Sequence, residues 1–215
     1  MDIDLKQRAA GYGLNLSSQH LELLDKYLHE LQAWNKHMNL TGIRSRERII
    51  NELVLDSLIA ASVLPQRARM LDVGSGAGFP GIPIKIYRPQ IDISLLEANS
   101  KKIHFLKHII RQLRLTKIET IHGRIENAKH TLHPRGYHII SARALTNIVQ
   151  VFEWCASYLL PNGLLVTFLG RQAEMDLQQH ECVMKRWSLI PDKIIPYVLP
   201  GKNIKRSVVF LKKRE

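Results

Sequence analysis

The first third of the chain has apolar residues at the spacing of amphipathic helices. Leucines recur at three- and four-residue intervals from Leu21 to Leu31, behind serines that can cap a helix. The same period returns over residues 46–64 and stops before Pro65. We predict two long helices here, which form an N-terminal helical cap over residues 1–66.

The pattern changes after residue 67 to short apolar runs that alternate with amphipathic stretches. This alternation predicts βαβ units and a parallel sheet that is covered on both faces. The linker "GKNIKR" between the last two runs is too short for a helical crossover, so these two runs should form an antiparallel hairpin. The seven runs cover residues 69–73, 91–97, 117–122, 137–142, 163–169, 194–200 and 207–213.

A mostly parallel seven-stranded sheet that ends in an antiparallel hairpin is a Rossmann-like α/β arrangement. It is the arrangement of class I S-adenosylmethionine (SAM)-dependent methyltransferases, and we assign it to residues 67–215. Ligands of such sheets lie beyond the carboxyl ends of the strands, at the point where the strand order reverses. Functional residues are therefore expected at the strand ends.

Two nucleotide-binding fingerprints overlap in the glycine-rich stretch "LDVGSGAGFPGIP". The spacing Gly76-x-Gly78-x-x-Gly81 matches a dinucleotide site, in which a pyrophosphate lies on the N-terminus of the following helix. Read from Gly74, the same stretch is G-x-G-x-G. Because the first strand ends at Val73, the glycine that turns off the strand is Gly74, and the register from Gly74 fits better.

The Gly74 register favours SAM as the ligand. Asp72 lies beside the turn, and its carboxylate suits the ammonium and sulfonium groups of SAM better than a pyrophosphate. Glu97 ends the second strand about twenty residues past the turn, the usual place for a carboxylate that accepts hydrogen bonds from ribose hydroxyls. We predict cofactor contacts from Asp72, Gly74, Gly76, Gly78 and Glu97.

The net charge of +12 is concentrated in the predicted methyltransferase domain. Only seven of the 31 Lys and Arg residues precede residue 67, against eight of the 19 acidic residues. No acidic residue occurs between Glu97 and Glu119, a segment that contains Lys101, Lys102 and Lys107. The imbalance indicates a polyanionic partner, most simply RNA, and we predict RNA contacts from these three lysines. A solvated helix face is the alternative for this segment taken alone.

The sequence lacks the signatures of two kinds of base methylation, which narrows the choice of methyl acceptor. Methylation of an exocyclic base amine goes with D/N/S-P-P-Y/F after the fourth strand, whereas this chain has "SARAL". Formation of 5-methylcytosine needs a cysteine nucleophile on a strand-end loop, but Cys155 and Cys182 fall on predicted helices. Guanine N7 attacks through an in-plane lone pair and loses no proton, so it needs no general base.

The ends of the third and fourth strands add further candidates. Ile125 and Glu126 follow the third strand and are placed to flank an adenine. Arg143, in "SARAL", lies at the mouth of the site, and we predict that it faces the SAM carboxylate, guanine O6 or a phosphate. Arg124 is a second candidate for a phosphate, and we predict these two arginines as the catalytic residues.

Composition limits the class of protein. No run reaches the roughly 18 consecutive apolar residues of a membrane span, and the N-terminus lacks the pattern of a signal peptide. Cys155 and Cys182 are far apart and have no His partners at ligand spacing, so we predict no disulfide, no metal site and two buried cysteines. We expect a cytoplasmic monomer.

Five stretches, "LDVGSGAGFPGIP", "LLEANSKKIHFLK", "GRIE", "ISARAL" and "KRSVVFLKK", resemble the bacterial small-subunit rRNA guanine-N7 methyltransferase G family, also known as glucose-inhibited division protein B. The resemblance extends over essentially the whole chain. It implies transfer of methyl from SAM to N7 of a guanosine, expected at position 527, in the 530 loop of 16S rRNA of the small ribosomal subunit. It further implies SAM contacts from Gly74, Phe79, Ile125, Glu126 and Arg143.

One position departs from the family pattern. The family often has Arg-His shortly before Leu-Asp-Ser in the second cap helix, whereas "NELVLDS" has Glu52 and Leu53 there. The part that this position plays in ordering the cap over the site is therefore open.

Three other functions are compatible with the residues. An NAD(P)-dependent oxidoreductase would use the Gly76 register. A small-molecule methyltransferase would share the fold but would not need the basic excess. A non-catalytic RNA-binding protein would bind RNA with the glycine loop idle.

Overall fold

The computed structural model describes residues 2–128, 130–143, 147–199 and 204–215. One seven-stranded sheet runs through this part of the chain, with the strand order β3-β2-β1-β4-β5-β7-β6. Its strands are β1 (Arg69–Val73), β2 (Asp92–Glu97), β3 (Ile118–His122), β4 (Tyr137–Ala142), β5 (Leu159–Leu169), β6 (Leu189–Leu199) and β7 (Ile204–Lys213).

The strand pairing confirms the predicted sheet. Strands β1 to β5 pair in parallel, and β7 pairs antiparallel with both β5 and β6. β6 begins earlier than its apolar run suggests, because Leu189 and Ile190 pair with the end of β7 before a bulge near Pro191. β6 is an edge strand, where proline does not interrupt a central hydrogen-bond ladder.

Helices cover both faces of the sheet. The N-terminal part contains α1 (Asp2–Ala10), α2 (Ser18–Met38), α3 (Arg46–Ile49), a π-helical turn (Ile50–Val54) and α4 (Leu55–Ala61). The helices between and after the first strands are α5 (Gly81–Tyr87), α6 (Ser100–Gln112), a short 3₁₀ turn (Ile125–Asn127), α7 (Ile148–Ala156), α8 (Ala173–Gln179) and α9 (Glu181–Arg186).

The side chains of the sheet alternate between two hydrophobic clusters, one on each face. Met70 of β1 packs with the N-terminal helices, α5 and α6, whereas its neighbour Leu71 packs with α7, α8 and α9. The N-terminal helices therefore share a core with one face of the sheet. The division of the chain at residue 66 stays a prediction.

Helix α2 begins where the serines predict. The Ser17 hydroxyl oxygen accepts a hydrogen bond from the backbone N–H of His20 at 3.2 Å, and the His20 ring accepts one from the Ser17 N–H at 3.3 Å. The helix ends at Asn39, which takes the left-handed conformation with φ of 48°. Its buried side chains include Leu21, Leu24, Leu28 and Leu31.

The second predicted helix is not one regular helix, because the π-helical turn separates α3 from α4. Asn51 and Glu52 lie in this turn and are both buried. Asn51 Oδ1 accepts a hydrogen bond from Arg8 Nη1 at 2.6 Å, and Glu52 Oε1 accepts one from Arg48 Nε at 2.7 Å. The wider turn lets these two polar side chains be buried with partners, which accounts for the departure from the expected period.

The two cysteines differ in their surroundings. Cys155 is buried in α7, as predicted, and burial raises the pKa of its thiol to about 12. Cys182 is exposed on α9, so the prediction that it is buried is wrong. The buried residue of α9 is Met184, and positions two apart on a helix do not share a face.

Candidate active site

A cavity of about 330 Å³ lies at the carboxyl ends of strands β1 to β4. This is the position where the strand order reverses between β1 and β4, as expected for the ligand site of an open α/β sheet. Its lining comes from all four strand ends and from α6 and α7: Val73, Gly74, Leu96, Glu97, Ala98, Lys102, Gly123, Arg124, Ile125, Glu126, Arg143 and Trp154.

The glycine-rich loop turns directly off β1 at Gly74. Gly74, Gly76 and Gly78 have φ values of 68°, 59° and 102°, in the region that side chains disfavour. The backbone N–H groups of Gly74 and Ser75 both donate to the carbonyl oxygen of Leu96, at 2.8 and 3.1 Å, so the turn is tied to the end of β2. The loop geometry therefore agrees with the Gly74 register.

The Glu97 carboxylate, at the end of β2, links the glycine-rich loop to the start of α6. Its Oε2 accepts a hydrogen bond from the Gly76 N–H and its Oε1 accepts one from the Asn99 N–H, both at 2.8 Å. These bonds fix the carboxylate at the wall of the cavity, while each carboxylate oxygen can accept a further hydrogen bond. The predicted role towards ribose hydroxyls is compatible with this geometry.

Asp72 does not line this cavity, although we predicted a cofactor contact from it. The side chain is completely buried beneath the loop, where Oδ2 accepts a hydrogen bond from the Gly81 N–H at 3.1 Å and Oδ1 accepts one from the Ser141 hydroxyl at 2.7 Å. A side chain at Gly81 would contact Asp72 Oδ2 at 2.8 Å. Gly81 begins α5, and its N–H already donates to Asp72. In a dinucleotide site this N–H would bind the pyrophosphate, so the contact with Asp72 disfavours the dinucleotide register.

Replacing Asp72 by asparagine should change how stability depends on pH. Burial raises the pKa of Asp72 from its usual 3.8 to about 6. Between these values the folded protein holds a proton that the unfolded chain has lost, so wild-type stability falls as the pH rises. Asparagine has no such proton. Its Oδ1 can accept from the Gly81 N–H while its Nδ2 donates to the Ser141 hydroxyl oxygen, which reverses the second bond. The stability of Asp72→Asn should therefore gain up to ~3 kcal/mol relative to wild type across this interval. Urea unfolding at several pH values measures the difference, and parallel curves would contradict it.

Phe79 and Gly78 support the loop from the side of α2 and are not among the cavity-lining residues. Phe79 is nearly buried, with its ring centroid 5.3 Å from that of Tyr27. The Tyr27 hydroxyl donates a hydrogen bond to the carbonyl oxygen of Ala77 at 2.6 Å. A side chain at Gly78 would meet Ile82 at 2.5 Å. Tyr27, which the sequence does not single out, therefore holds the loop in place.

The segment after β3 forms the third wall. Gly123 N–H donates to the Glu97 carbonyl oxygen at 3.0 Å, and the 3₁₀ turn follows at once. Ile125 is buried, whereas Arg124 and Glu126 are exposed at the rim. All three line the cavity, as their predicted roles require.

Arg143 lines the cavity and is held by the N-terminal helices. One nitrogen, Nη2, donates to the Glu52 carbonyl oxygen at 2.6 Å and forms an ion pair with Asp56 Oδ2 at 3.1 Å. Its guanidinium carbon lies 5.4 Å from the ring centroid of Phe168. Burial raises the pKa of Asp56 and lowers that of Arg143. The backbone of Glu52 therefore takes part in the site, although the residue departs from the family pattern.

The three predicted RNA-binding lysines lie on α6. Asn99 caps this helix by accepting hydrogen bonds from the N–H groups of Lys101 and Lys102, at 2.9 and 3.4 Å. Lys101 and Lys107 are exposed, and Lys102 is half-buried at the cavity. The basic helix therefore begins at the rim of the cavity.

Within the described ranges, no group of three or more His, Cys, Asp and Glu side chains is arranged to hold a metal ion. Among the same residues, no helix has the length and apolar character needed to cross a membrane.

Solved structures with the same fold define the class. The chain superposes on the M. jannaschii TYW2 structure in complex with AdoMet with a TM-score of 0.61, at 13% identity over 74% of this chain and 75% of that one. Aeropyrum pernix fibrillarin with natively bound S-adenosyl-L-methionine gives a TM-score of 0.57, at 14% identity over 75% of each chain. The fold is that of the class I SAM-dependent methyltransferases.

Sequence comparison gives the family. The model of the rRNA small subunit methyltransferase G family matches residues 20–201. Ribosomal RNA small subunit methyltransferase G of Acetivibrio thermocellus is 32% identical over 97% of this chain and 87% of its own length. The Chloroflexus aggregans protein of the same name is 33% identical over 97% and 88%. The chain belongs to the rRNA small subunit methyltransferase G family.

Family and fold decide between the functions left open by the sequence. The family consists of SAM-dependent rRNA methyltransferases, which confirms the resemblance, the cofactor and the class of enzyme. The oxidoreductase, small-molecule methyltransferase and non-catalytic alternatives are wrong.

Proposed function

We propose that the protein transfers the methyl group of SAM to N7 of a guanosine in the 530 loop of 16S rRNA, expected at position 527. The observation that carries this proposal is the cavity at the strand ends, which joins the Gly74 turn, Glu97 and Arg143 in a chain of this family. Its volume of about 330 Å³ lies in the range of small-molecule sites.

The residues at the cavity suit the parts of SAM. Glu97 accepts from the ribose hydroxyls, and Ile125 and Glu126 flank the adenine. Gly74 and Arg143 hold the amino-acid end, where a guanidinium pairs well with a carboxylate. Gly76, Gly78, Phe79 and Asp72 act on the shape of the loop through the contacts described above.

When bound, SAM supplies an electrophilic methyl group on a sulfonium. Guanine N7 attacks with its own lone pair and loses no proton, so the protein needs to position the base and keep water away. The purine becomes cationic as it is alkylated, and a free guanidinium beside N7 would oppose this change. Asp56 and the Glu52 carbonyl offset the charge of Arg143 and hold it at the wall, which suits a role towards an anionic group. Arg124 at the exposed rim suits a phosphate.

The target guanosine has to be accessible. In an A-form helix N7 lies in a deep, narrow groove that side chains cannot enter, so a guanosine within a regular stem cannot reach a cavity at the strand ends. A loop or bulge position removes this obstacle, because extruding a poorly stacked base costs only a few kcal/mol.

Replacing the target guanine with 7-deazaguanine tests the acceptor atom. The substitution puts carbon in place of the attacking nitrogen, so we expect methyl transfer to be lost while RNA binding stays nearly unchanged. Incorporation of labelled methyl and a filter-binding assay measure the two properties on the same RNA, with the guanosine RNA as the control. Normal methyl incorporation into the 7-deaza RNA would show that N7 is not the acceptor.

Reversing the charges of Lys101, Lys102 and Lys107 should flatten the salt dependence of RNA binding. Each lost phosphate contact lowers the log–log slope by about 0.7 to 0.9, so three lost contacts should lower it by about 2.1 to 2.7. The control reverses three exposed lysines of the N-terminal helices, Lys6, Lys26 and Lys36. Equal slopes for the α6 variant and wild type would mean that these lysines are only a solvated face.

The protein is expected to act as a cytoplasmic monomer, without a metal ion, on 16S rRNA or the small ribosomal subunit. The basic surface beside the cavity supports the RNA partner. Analytical sedimentation of the purified protein tests whether it is monomeric. Comparing the rate of methylation of naked rRNA with that of assembled subunits distinguishes the two substrates.

A further inference from the structure

The guanidinium of Arg143 is fixed by two groups from the N-terminal helices. Its Nη2 contacts the Glu52 carbonyl oxygen at 2.6 Å and Asp56 Oδ2 at 3.1 Å. Both partners belong to the segment that contains the π-helical turn and α4, whereas Arg143 follows the end of β4. The N-terminal helices therefore reach one wall of the cavity through a charged contact.

This contact is closed off from solvent. The Asp56 side chain is 0% exposed and that of Arg143 is 13% exposed, with Phe168 against the guanidinium. Asp56 Oδ2 is shared with Arg206, whose Nη1 also lies at 3.1 Å and whose side chain is 28% exposed. A buried carboxylate between two guanidinium groups holds its neighbours more firmly than a surface ion pair does.

The other terminal nitrogen of the Arg143 guanidinium, Nη1, differs from Nη2. Arg143 Nη1 is buried and has no hydrogen-bond partner among the residues that the structure describes. Because this nitrogen is closed to solvent, a ligand in the cavity meets only the 13% of the Arg143 side chain that stays exposed.

We propose that Asp56 is a positioning residue, whose carboxylate fixes the Arg143 guanidinium at the cavity wall so that the exposed part of the side chain is ready for an anionic group of the ligand. The inference rests on the proposed placement of SAM, whose carboxylate is that group. An arginine side chain loses rotamer freedom when it binds a ligand, and fixing it beforehand removes this cost from binding. The N-terminal helices thus raise the affinity for SAM without touching it.

A double-mutant cycle tests the proposal, with SAM affinity measured by calorimetry in the absence of RNA. Asp56→Asn keeps the shape of the side chain and removes its charge, so we expect the affinity to fall about tenfold. In an Arg143→Met background the same substitution should have no further effect, because Asp56 acts through Arg143. The proposal is overturned if Asp56→Asn binds SAM with wild-type affinity. It is also overturned if the double variant binds SAM more weakly than Arg143→Met alone.

Two controls separate positioning from a general loss of structure. Arg206→Met removes the other partner of Asp56 but leaves the contact between Asp56 and Arg143, so SAM affinity should fall less than in Asp56→Asn; a loss as large as that of Asp56→Asn overturns the proposal. Asp25→Asn breaks an exposed ion pair with Arg46 in the same helices and should also have no effect.

Circular dichroism establishes that each variant is folded. If Asp56→Asn does not fold alone, Arg143→Met and the double variant are compared directly. Equal SAM affinity supports the proposal and a further loss in the double variant overturns it. If the wild type itself does not bind SAM, the proposed function fails, which is a different result from an unaffected Asp56→Asn variant.

Discussion

Gly74→Val is expected to lower the affinity for SAM at least about a hundredfold while the protein stays folded. Gly74 has φ of 68°, a conformation that costs a side chain ~1–2 kcal/mol and a β-branched one more. It also lines the cavity directly after β1, so a valine side chain takes up space that the ligand needs, at a further ~1–3 kcal/mol. The loop must then either move or crowd the ligand. Calorimetric titration with SAM measures the loss.

Gly13→Val is the matched control for this variant. Gly13 has φ of 73°, and no atom lies within 4 Å of the position that a Cβ would take. The substitution introduces similar backbone strain outside the cavity, so it should lower stability without changing SAM affinity. If Gly74→Val bound SAM as the wild type does, the assignment of the glycine turn to the cofactor would be wrong.

Lys85→Met is expected to destabilise the protein by ~3–9 kcal/mol. Lys85 is 2% exposed, and its Nζ donates to three backbone carbonyl oxygens, those of Pro89, Ile91 and Lys117, at 2.9, 2.6 and 3.0 Å. Burial lowers the pKa of Lys85 to about 8, so the ammonium keeps its three protons at neutral pH. Methionine fills the space but leaves three acceptors without this donor, at ~1–3 kcal/mol each.

The loss is a large part of the stability of an ordinary domain, which is ~5–15 kcal/mol. Urea unfolding at neutral pH measures it. Lys117→Met makes the same chemical change at an exposed side chain, which donates to Gln90 Oε1 at 3.1 Å, and should cost little. Similar unfolding midpoints for the two variants would show that the three carbonyl contacts of Lys85 contribute nothing.

Local patterns determine much of the fold and part of the site. The strand positions follow from short apolar runs, and the antiparallel hairpin follows from a linker that is too short for a crossover. The turn at Gly74 is predictable because it needs a residue at positive φ directly after a strand. Glu97 and Arg143 are predictable because the carboxyl ends of neighbouring parallel strands meet at one edge of the sheet. These inferences need only the period of the sequence and the geometry of a parallel sheet.

Only the tertiary structure decided how the polar side chains are paired. Arg143 and Glu52 are 91 residues apart, and Tyr27 and Ala77 are 50 apart, so no local pattern connects them. The carboxylate of Asp72 stands beside the glycine turn in the sequence, but packing directs it beneath the loop, towards α5 and β4. Periodicity tells which face of an element is apolar, but the partner of a buried polar group depends on which other elements pack there. The sequence by itself therefore determined the sheet, the glycine turn and the strand-end candidates, whereas the support of the site by the N-terminal helices depended on long-range contacts.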